Sequence, residues 1–235
     1  MVVGCGGTGG YVAESLCRLL PPEATLVLVD HDRVEERNLA RQNFFPGDIG
    51  QIKSKATALR LARKYGRPVA YSVYPVVMTE IHGIGIVVGC VDNGAARRDI
   101  AAKIRLPGVA WWVDAGNGEN YGQVLIGNSQ YAFFDETKGI CSGLPLPTIQ
   151  RPDLLNAAPL RQPDCAQVAE QGPTINQTMA AIVIEVVRRL IDGTCPWIQL
   201  YLDMEAGTLH SVLATPEEVE KIIGKKKVRI SRGEK

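Results

Sequence analysis

The first ten residues restrict this chain's fold more than any other stretch. Val2 and Val3 end a strand pattern, Gly4-Cys5-Gly6-Gly7-Thr8-Gly9 follows, and helical periodicity opens at once. The spacing Gly4, Gly6, Gly9 is G-x-G-x-x-G. Glycines are needed there for a tight turn, for close approach of phosphate to the backbone, and for packing of the helix on the strand. A phosphate then meets free N–H groups at a helix N-terminus, where the helix dipole favours anions. Leu26-Val27-Leu28-Val29 reads as the next strand and ends in Asp30, 21 residues past Gly9. An acid about 20 residues on is where a ribose hydroxyl is held in such units.

The rest of the chain alternates strand and helix patterns. Val12, Leu16, Leu19 and Leu20 recur at helical spacing before Pro21-Pro22. A basic amphipathic helix is predicted over Lys53–Tyr65, a strand over Val69–Val77, a buried strand over Ile84–Gly89, a helix over Ala95–Ile104, and strands over Val109–Val113 and Gly122–Ile126. This alternation predicts an α/β fold with a doubly wound, Rossmann-like, mainly parallel sheet. Gly9, Asp30, Asp92 and Asp114 are placed at or just past strand ends, where ligands bind in such sheets.

Residues 128–172 are rich in Pro, Gly and Gln and lack periodicity, which predicts a long crossover loop. A strong apolar helix follows over Pro173–Ile191. Two terminal strands, Ile198–Leu202 and Leu209–Leu213, flank a Glu205-Ala206-Gly207 turn, and Thr215-Pro216-Glu217-Glu218 opens a short helix. The expected organisation is one domain over residues 1–223 and a basic, solvated tail over 224–235.

Composition bears on partners. A net charge of +1 gives no global electrostatic reason to bind nucleic acid or membrane. No signal segment or run of 18 apolar residues is seen, so a cytoplasmic location is expected. The six cysteines form no C-x-x-C pair and only three histidines are present, so no zinc site and no disulfide framework are expected.

Arg41 and Lys53 follow strand two and can reach the mouth of the nucleotide site. Two cations beside a glycine loop suit a triphosphate better than a dinucleotide. Asp92 follows a buried strand and opens a helix. It is read as an N-cap carboxylate and as a ligand that holds Mg²⁺ against phosphates. Asn93 would contact base or ribose. Arg97 and Arg98 are assigned to the surface, and Cys5 and Cys90 to buried packing.

Five ordered segments together resemble the ThiF/MoeB/HesA family, whose fold is that of the ubiquitin-activating enzymes. They are Gly4-Cys5-Gly6-Gly7-Thr8-Gly9, Asp30-His31-Asp32-Arg33-Val34, Arg37-Asn38-Leu39-Ala40-Arg41-Gln42, Asp48-Ile49-Gly50-Gln51-Ile52-Lys53 and Cys90-Val91-Asp92-Asn93. A finer similarity, on Gly116-Asn117, Tyr121-Gly122-Gln123-Val124 and Asp164-Cys165-Ala166, is to the short ThiF-type proteins of bacterial PRTRC gene clusters.

The resemblance implies ATP- and Mg²⁺-dependent adenylylation of a carboxylate, usually the C-terminal Gly-Gly of a ubiquitin-like or sulfur-carrier protein. Carried over by motif, Gly4, Gly6, Gly7 and Gly9 form the phosphate loop, Asp30 holds the ribose, and Asn38, Arg41 and Lys53 bind the triphosphate. Asp92 binds Mg²⁺, Asn93 lines the site, and Cys165 takes the acyl group in a second step, with Cys141 the other loop candidate. Asp164 would raise the Cys165 pKa, so activation must come from elsewhere.

The resemblance also implies a homodimer, which the sequence supports through the broad apolar face of Pro173–Ile191. Two departures stand out. The zinc-binding C-x-x-C pairs of many relatives are missing, and so is the segment before the first strand that carries an arginine across the dimer. Three other readings are open: an inactive scaffold of the same fold, a nicotinamide-dependent oxidoreductase, and adenylylation of a tRNA nucleoside.

Overall fold

Consecutive apolar residues along the strands build two cores, one on each side of the main sheet. In the computed structural model Val2, Leu28, Val88 and Val113 face one core, while Val3, Val29, Val87 and Trp112 face the other. Strand residues point alternately to opposite faces, so runs of consecutive apolar residues demand cover on both sides. The structure describes residues 1–80, 83–104, 111–135, 138–156, 173–224 and 228–230.

The central sheet has eight strands: β1 (Val2–Val3), β2 (Val27–Val29), β3 (Ala70–Ser72), β4 (Ile86–Gly89), β5 (Trp111–Asn117), β6 (Tyr121–Gly127), β9 (Trp197–Asp203) and β10 (Thr208–Leu213). Their spatial order is β10-β9-β6-β5-β4-β1-β2-β3. Strands β3, β2, β1, β4 and β5 are parallel. Strands β6, β9 and β10 add antiparallel. The order reverses between β1 and β4, the topological switch point where open sheets of this kind bind ligands.

Helices α1 (Gly7–Leu19), α2 (Lys53–Tyr65) and α5 (Pro173–Ile191) cover one face. Helices α3 (Gly94–Ile104) and α4 (Pro147–Gln150) cover the other. Helix α5 packs along α1 and lies over β5 and β6. Its apolar residues Ile175, Met179, Val183, Val186 and Val187 are buried within this chain, and Ile182 and Leu190 pack partly buried against the same core. A final helix, α6 (Pro216–Ile223), starts at Thr215, whose Oγ1 accepts the Glu218 N–H as the sequence pattern predicts.

Three expectations need correction. Residues 128–156 are not an irregular loop: strands β7 (Ala132–Asp135) and β8 (Ile140–Gly143) pair antiparallel there, and α4 follows. Their short, broken apolar pattern hid them from periodicity. The basic tail contributes a strand, β11 (Val228–Ile230), parallel to β7. The strand expected over Val69–Val77 ends at Ser72, because a 3-10 turn takes Val76–Met78.

Candidate functional site

The carboxyl ends of β1, β2, β4 and β5 lie on one side of the sheet, with the glycine loop after β1, Asp30 after β2 and Asp92 after β4. The glycine loop turns from β1 into α1 at Gly6, and among the described residues no side chain caps this helix. The first N–H groups of a helix lack intrahelical partners, so α1 presents donors with no side-chain cap toward the mouth of the sheet. The turn is forced to be tight: a Cβ at Gly9 would collide with the carbonyl oxygen of Gly4.

Asp30 ends β2 and is buried. Its Oδ2 accepts the Cys5 N–H at 2.7 Å, and its Oδ1 accepts the Asp32 N–H at 2.9 Å. Burial pushes its carboxyl above the usual range, against the pull of nearby Lys53 and of those two N–H donors. Asp30 thus ties the glycine loop to β2. Lys53, at the first position of α2, has a side chain 11% exposed, and its Nζ lies 3.2 Å from Asp32 Oδ2. The backbone supports this placement, since Lys53 N–H donates to the Asp32 carbonyl.

The segment from Glu35 to Gln42 carries Arg41. Asn38 is buried, and its Oδ1 accepts the Glu35 N–H at 3.0 Å, closing a 3-10 turn. Asn43 Nδ2 donates to Glu14 Oε2 at 2.9 Å, fastening the same segment to α1. Gln42 lies against Gly6, and its Oε1 is a buried acceptor with no hydrogen-bond partner among the described residues.

At the end of β4, Asp92 is exposed and its Oδ1 accepts from Asn93 Nδ2 at 3.2 Å. The helix cap is Asn93, not Asp92: Asn93 Oδ1 accepts the Ala96 N–H at 2.9 Å. This frees the Asp92 carboxylate from capping and leaves it a solvent-facing oxygen donor.

Arg97 is not a surface residue. It is 4% exposed and pairs with Asp114, which is fully buried within β5 rather than at a strand end. Burial pushes the Asp114 carboxyl up, and the Arg97 guanidinium draws it back. Arg98 is exposed, as expected, and donates to the Leu155 carbonyl.

Two further residues, Asn117 and Asn176, were not assigned to the site from sequence. Thr8 Oγ1 lies 2.9 Å from Asn117 Oδ1 at the end of β5, and 3.3 Å from Asn176 Oδ1 on the first turn of α5. An asparagine on a strongly apolar helix carries no motif signal, and its role follows only from where α5 lands.

Among the described cysteines, burial raises the thiol pKa throughout. Cys90 is pushed up to about 12 and Cys141 to about 11, and Cys5, Cys17 and Cys195 also move up. Cys141 is a buried residue of β8, not a loop nucleophile. Cys165 lies outside the described residues. No described helix is long and apolar enough to cross a membrane.

Comparison with known proteins agrees with this architecture. Residues 1–194 match the model of the ThiF family. The chain is 36% identical over 104 residues to "Adenylyltransferase and sulfurtransferase MOCS3" of Mus musculus, covering 41% of this chain and 22% of that protein. It is 30% identical over 137 residues to "Ubiquitin-like modifier-activating enzyme 5" of Branchiostoma floridae, covering 51% and 33%. The chain therefore spans a third or less of the length of these two relatives.

Among solved structures, SeMet PaaA superposes with a TM-score of 0.65 at 18% identity, covering 91% of this chain and 72% of that one. E. coli MccB with ATP gives 0.61 at 17%, covering 92% and 64%. At such identities the likeness is one of fold. The glycine loop after β1, the acid after β2, the cation-bearing segment that follows and the Asp-Asn pair after β4 all fall within the matched residues, and the chain belongs to the ThiF family.

Proposed function

We propose that this protein is an ATP-dependent adenylyltransferase that activates the C-terminal carboxylate of a ubiquitin-like or sulfur-carrier protein ending in Gly-Gly. The observation that carries the reading is the α1 N-terminus at Gly6, uncapped by any described side chain and touched by Gln42 of the Arg41-bearing segment, together with Lys53 held at Asp32 and an exposed Asp92 after β4. Donors and cations of this kind suit a chain of phosphates. MccB is a neighbour in fold that has been crystallised with ATP and with its MccA partner.

In this reading the phosphates of ATP lie on the N–H groups of the glycine loop, and Asp30 receives the ribose. Arg41 and Lys53 neutralise the triphosphate, and Asn38 holds the segment that presents Arg41. Asn93 lines the site beside the capped start of α3. The acceptor's carboxylate oxygen attacks the α-phosphorus. The bond from that phosphorus to the bridging oxygen breaks, and pyrophosphate leaves with the electron pair. The protein's contribution is positioning and charge neutralisation, as at other phosphorus centres.

Asp92 would hold Mg²⁺. Its carboxylate is an exposed oxygen donor, which fits an ion that binds a few carboxylates and keeps several waters. When bound, the ion supplies charge stabilisation to the departing phosphates.

A second step belongs to the same proposal. A thiolate at Cys165 attacks the acyl carbon, AMP departs, and a thioester forms. The five described cysteines are poorly suited to this, because burial keeps their thiols protonated.

The test is incubation with α-phosphate-labelled ATP and a panel of small ubiquitin-like and sulfur-carrier proteins ending in Gly-Gly. Label should appear on the acceptor as acyl-AMP, and removal of the Gly-Gly should abolish it. Label that never reaches any acceptor contradicts the reading. A Cys165→Ser variant should still form acyl-AMP but no thiol-sensitive adduct; an adduct that survives removes Cys165 from the reaction.

A further inference from the structure

Asn176 makes an unusual set of contacts for a residue on an apolar helix. It is 1% exposed. Its Nδ2 donates to the backbone carbonyl of Arg41 at 3.1 Å. Its Oδ1 accepts from Asn117 Nδ2 at 3.2 Å and lies 3.3 Å from Thr8 Oγ1. The carboxamide also presses on the glycine loop, since a Cβ at Gly7 would lie 2.5 Å from Asn176 Nδ2. One side chain therefore joins the start of α1, the end of β5 and the segment after β2, and its two polar ends are used in opposite senses.

Nothing local in α5 requires this. Asn176 lies in the first turn of α5, yet both ends of its carboxamide bond to other elements rather than to that turn, and the neighbouring residues Ile175 and Met179 are core packing. A buried amide must be satisfied, and here every polar contact in hand reaches a part of the nucleotide site. The Thr8 hydroxyl, which could have bonded back to its own turn, is directed to Asn117 and Asn176 instead.

We propose that Asn176 is a positioning residue for the triphosphate, fixing the Gly6–Gly9 turn against the Arg41 backbone so that loop N–H groups and the Arg41 side chain meet on the same phosphates. The inference rests on the nucleotide reading given above and adds to it a residue outside the five motifs. Its effect runs through Arg41 and the loop, so it should be selective for phosphate-bearing ligands and coupled to Arg41.

The experiment is calorimetric titration of the intact protein, with ATP–Mg²⁺ and separately with adenosine. Five proteins are compared: wild type, Asn176→Ala, Asn176→Asp, Arg41→Ala and the Asn176→Ala/Arg41→Ala pair. The aspartate variant keeps the volume and the accepted bonds but turns the Arg41 contact into a repulsion.

Both Asn176 variants should weaken ATP by about tenfold or more while adenosine stays within about twofold. Arg41→Ala should cost at least about tenfold alone and less than about threefold on the Asn176→Ala background. Equal loss of ATP and adenosine, ATP binding unchanged in both Asn176 variants, or fully additive effects of the two substitutions would overturn the inference while leaving the nucleotide site standing. Wild-type protein that binds no ATP removes the nucleotide reading itself, and this inference with it.

Discussion

Arg97 Nε donates to both carboxylate oxygens of Asp114, at 3.2 and 3.0 Å, inside a core where the two side chains are 4% and 0% exposed. The pair ties the first turns of α3 to the middle of β5, next to the Asp92-Asn93 segment. Removing one partner strands a buried charge, which costs far more than the pair contributes. Arg97→Ala should therefore lower unfolding stability by about 3–5 kcal/mol. An Arg97→Met/Asp114→Leu protein should recover most of that loss. Chemical denaturation of the three proteins checks this, and equal loss in the single and double variants would contradict it.

Arg67 closes α1 from a distance. Its guanidinium donates to the carbonyls of Leu20, Pro21 and Ala24 at 2.7, 3.0 and 2.6 Å, with a longer contact to Cys17. A planar fork can serve several acceptors at once, whereas an ammonium cannot match that geometry. Arg67→Ala should cost about 2–4 kcal/mol, because several partly buried carbonyls lose their donors at once. Arg67→Lys should restore less than half of it. Thermal unfolding gives the answer, and full rescue by lysine would show that charge alone matters.

The glycine loop separates two kinds of steric demand. A methyl at Gly9 meets the backbone carbonyl of Gly4, which cannot move aside, whereas one at Gly7 meets the Asn176 side chain. Gly9→Ala should destabilise the fold by about 3 kcal/mol or more, through overpacking. Gly7→Ala should cost less stability yet weaken ATP binding. Melting curves with and without ATP distinguish the two, and equal melting temperatures for both variants would count against the loop geometry.

Glu14 gives a pH signature. Burial pushes its carboxyl up, but hydrogen bonds from Lys64, Tyr65 and Asn43 outweigh this and hold it below the ordinary value of 4.5. A lowered folded-state pKa means stability that is present above the unfolded value and lost as pH falls through the folded one. Glu14→Gln should thus be less stable than wild type by about 1–2 kcal/mol at pH 7, with the gap closing below about pH 4.5. A constant gap from pH 7 to pH 3 would contradict the assignment.

Much of this molecule was legible because the signals are local. The G-x-G-x-x-G turn, Asp30 at the end of β2, helix α5 and the Thr215 cap each follow from spacing within a few residues. What stayed hidden depends on tertiary partners. Arg97 reads as a surface arginine until Asp114 is placed across from it by the β4–β5 pairing. Asn93 rather than Asp92 caps α3 because the helix begins one residue later than the carboxylate suggests. Asn176 has meaning only once α5 is laid along α1, bringing together positions 168 residues apart. Strands β7 and β8 are short, and their pairing is irregular between Phe133 and Phe134, so no clean alternation survives in the sequence.

The central claim is that this site transfers adenylate to a carboxylate, and reversal of that step tests it most directly. Labelled pyrophosphate should exchange into ATP when the protein is given Mg²⁺ and a small acceptor ending in Gly-Gly. Asp92→Ala and Arg41→Ala should each lower that exchange by about a hundredfold or more, the scale on which electrostatic stabilisers act at a reacting centre. No exchange by the wild type with any such acceptor, or exchange at the wild-type rate in both variants, would contradict the account.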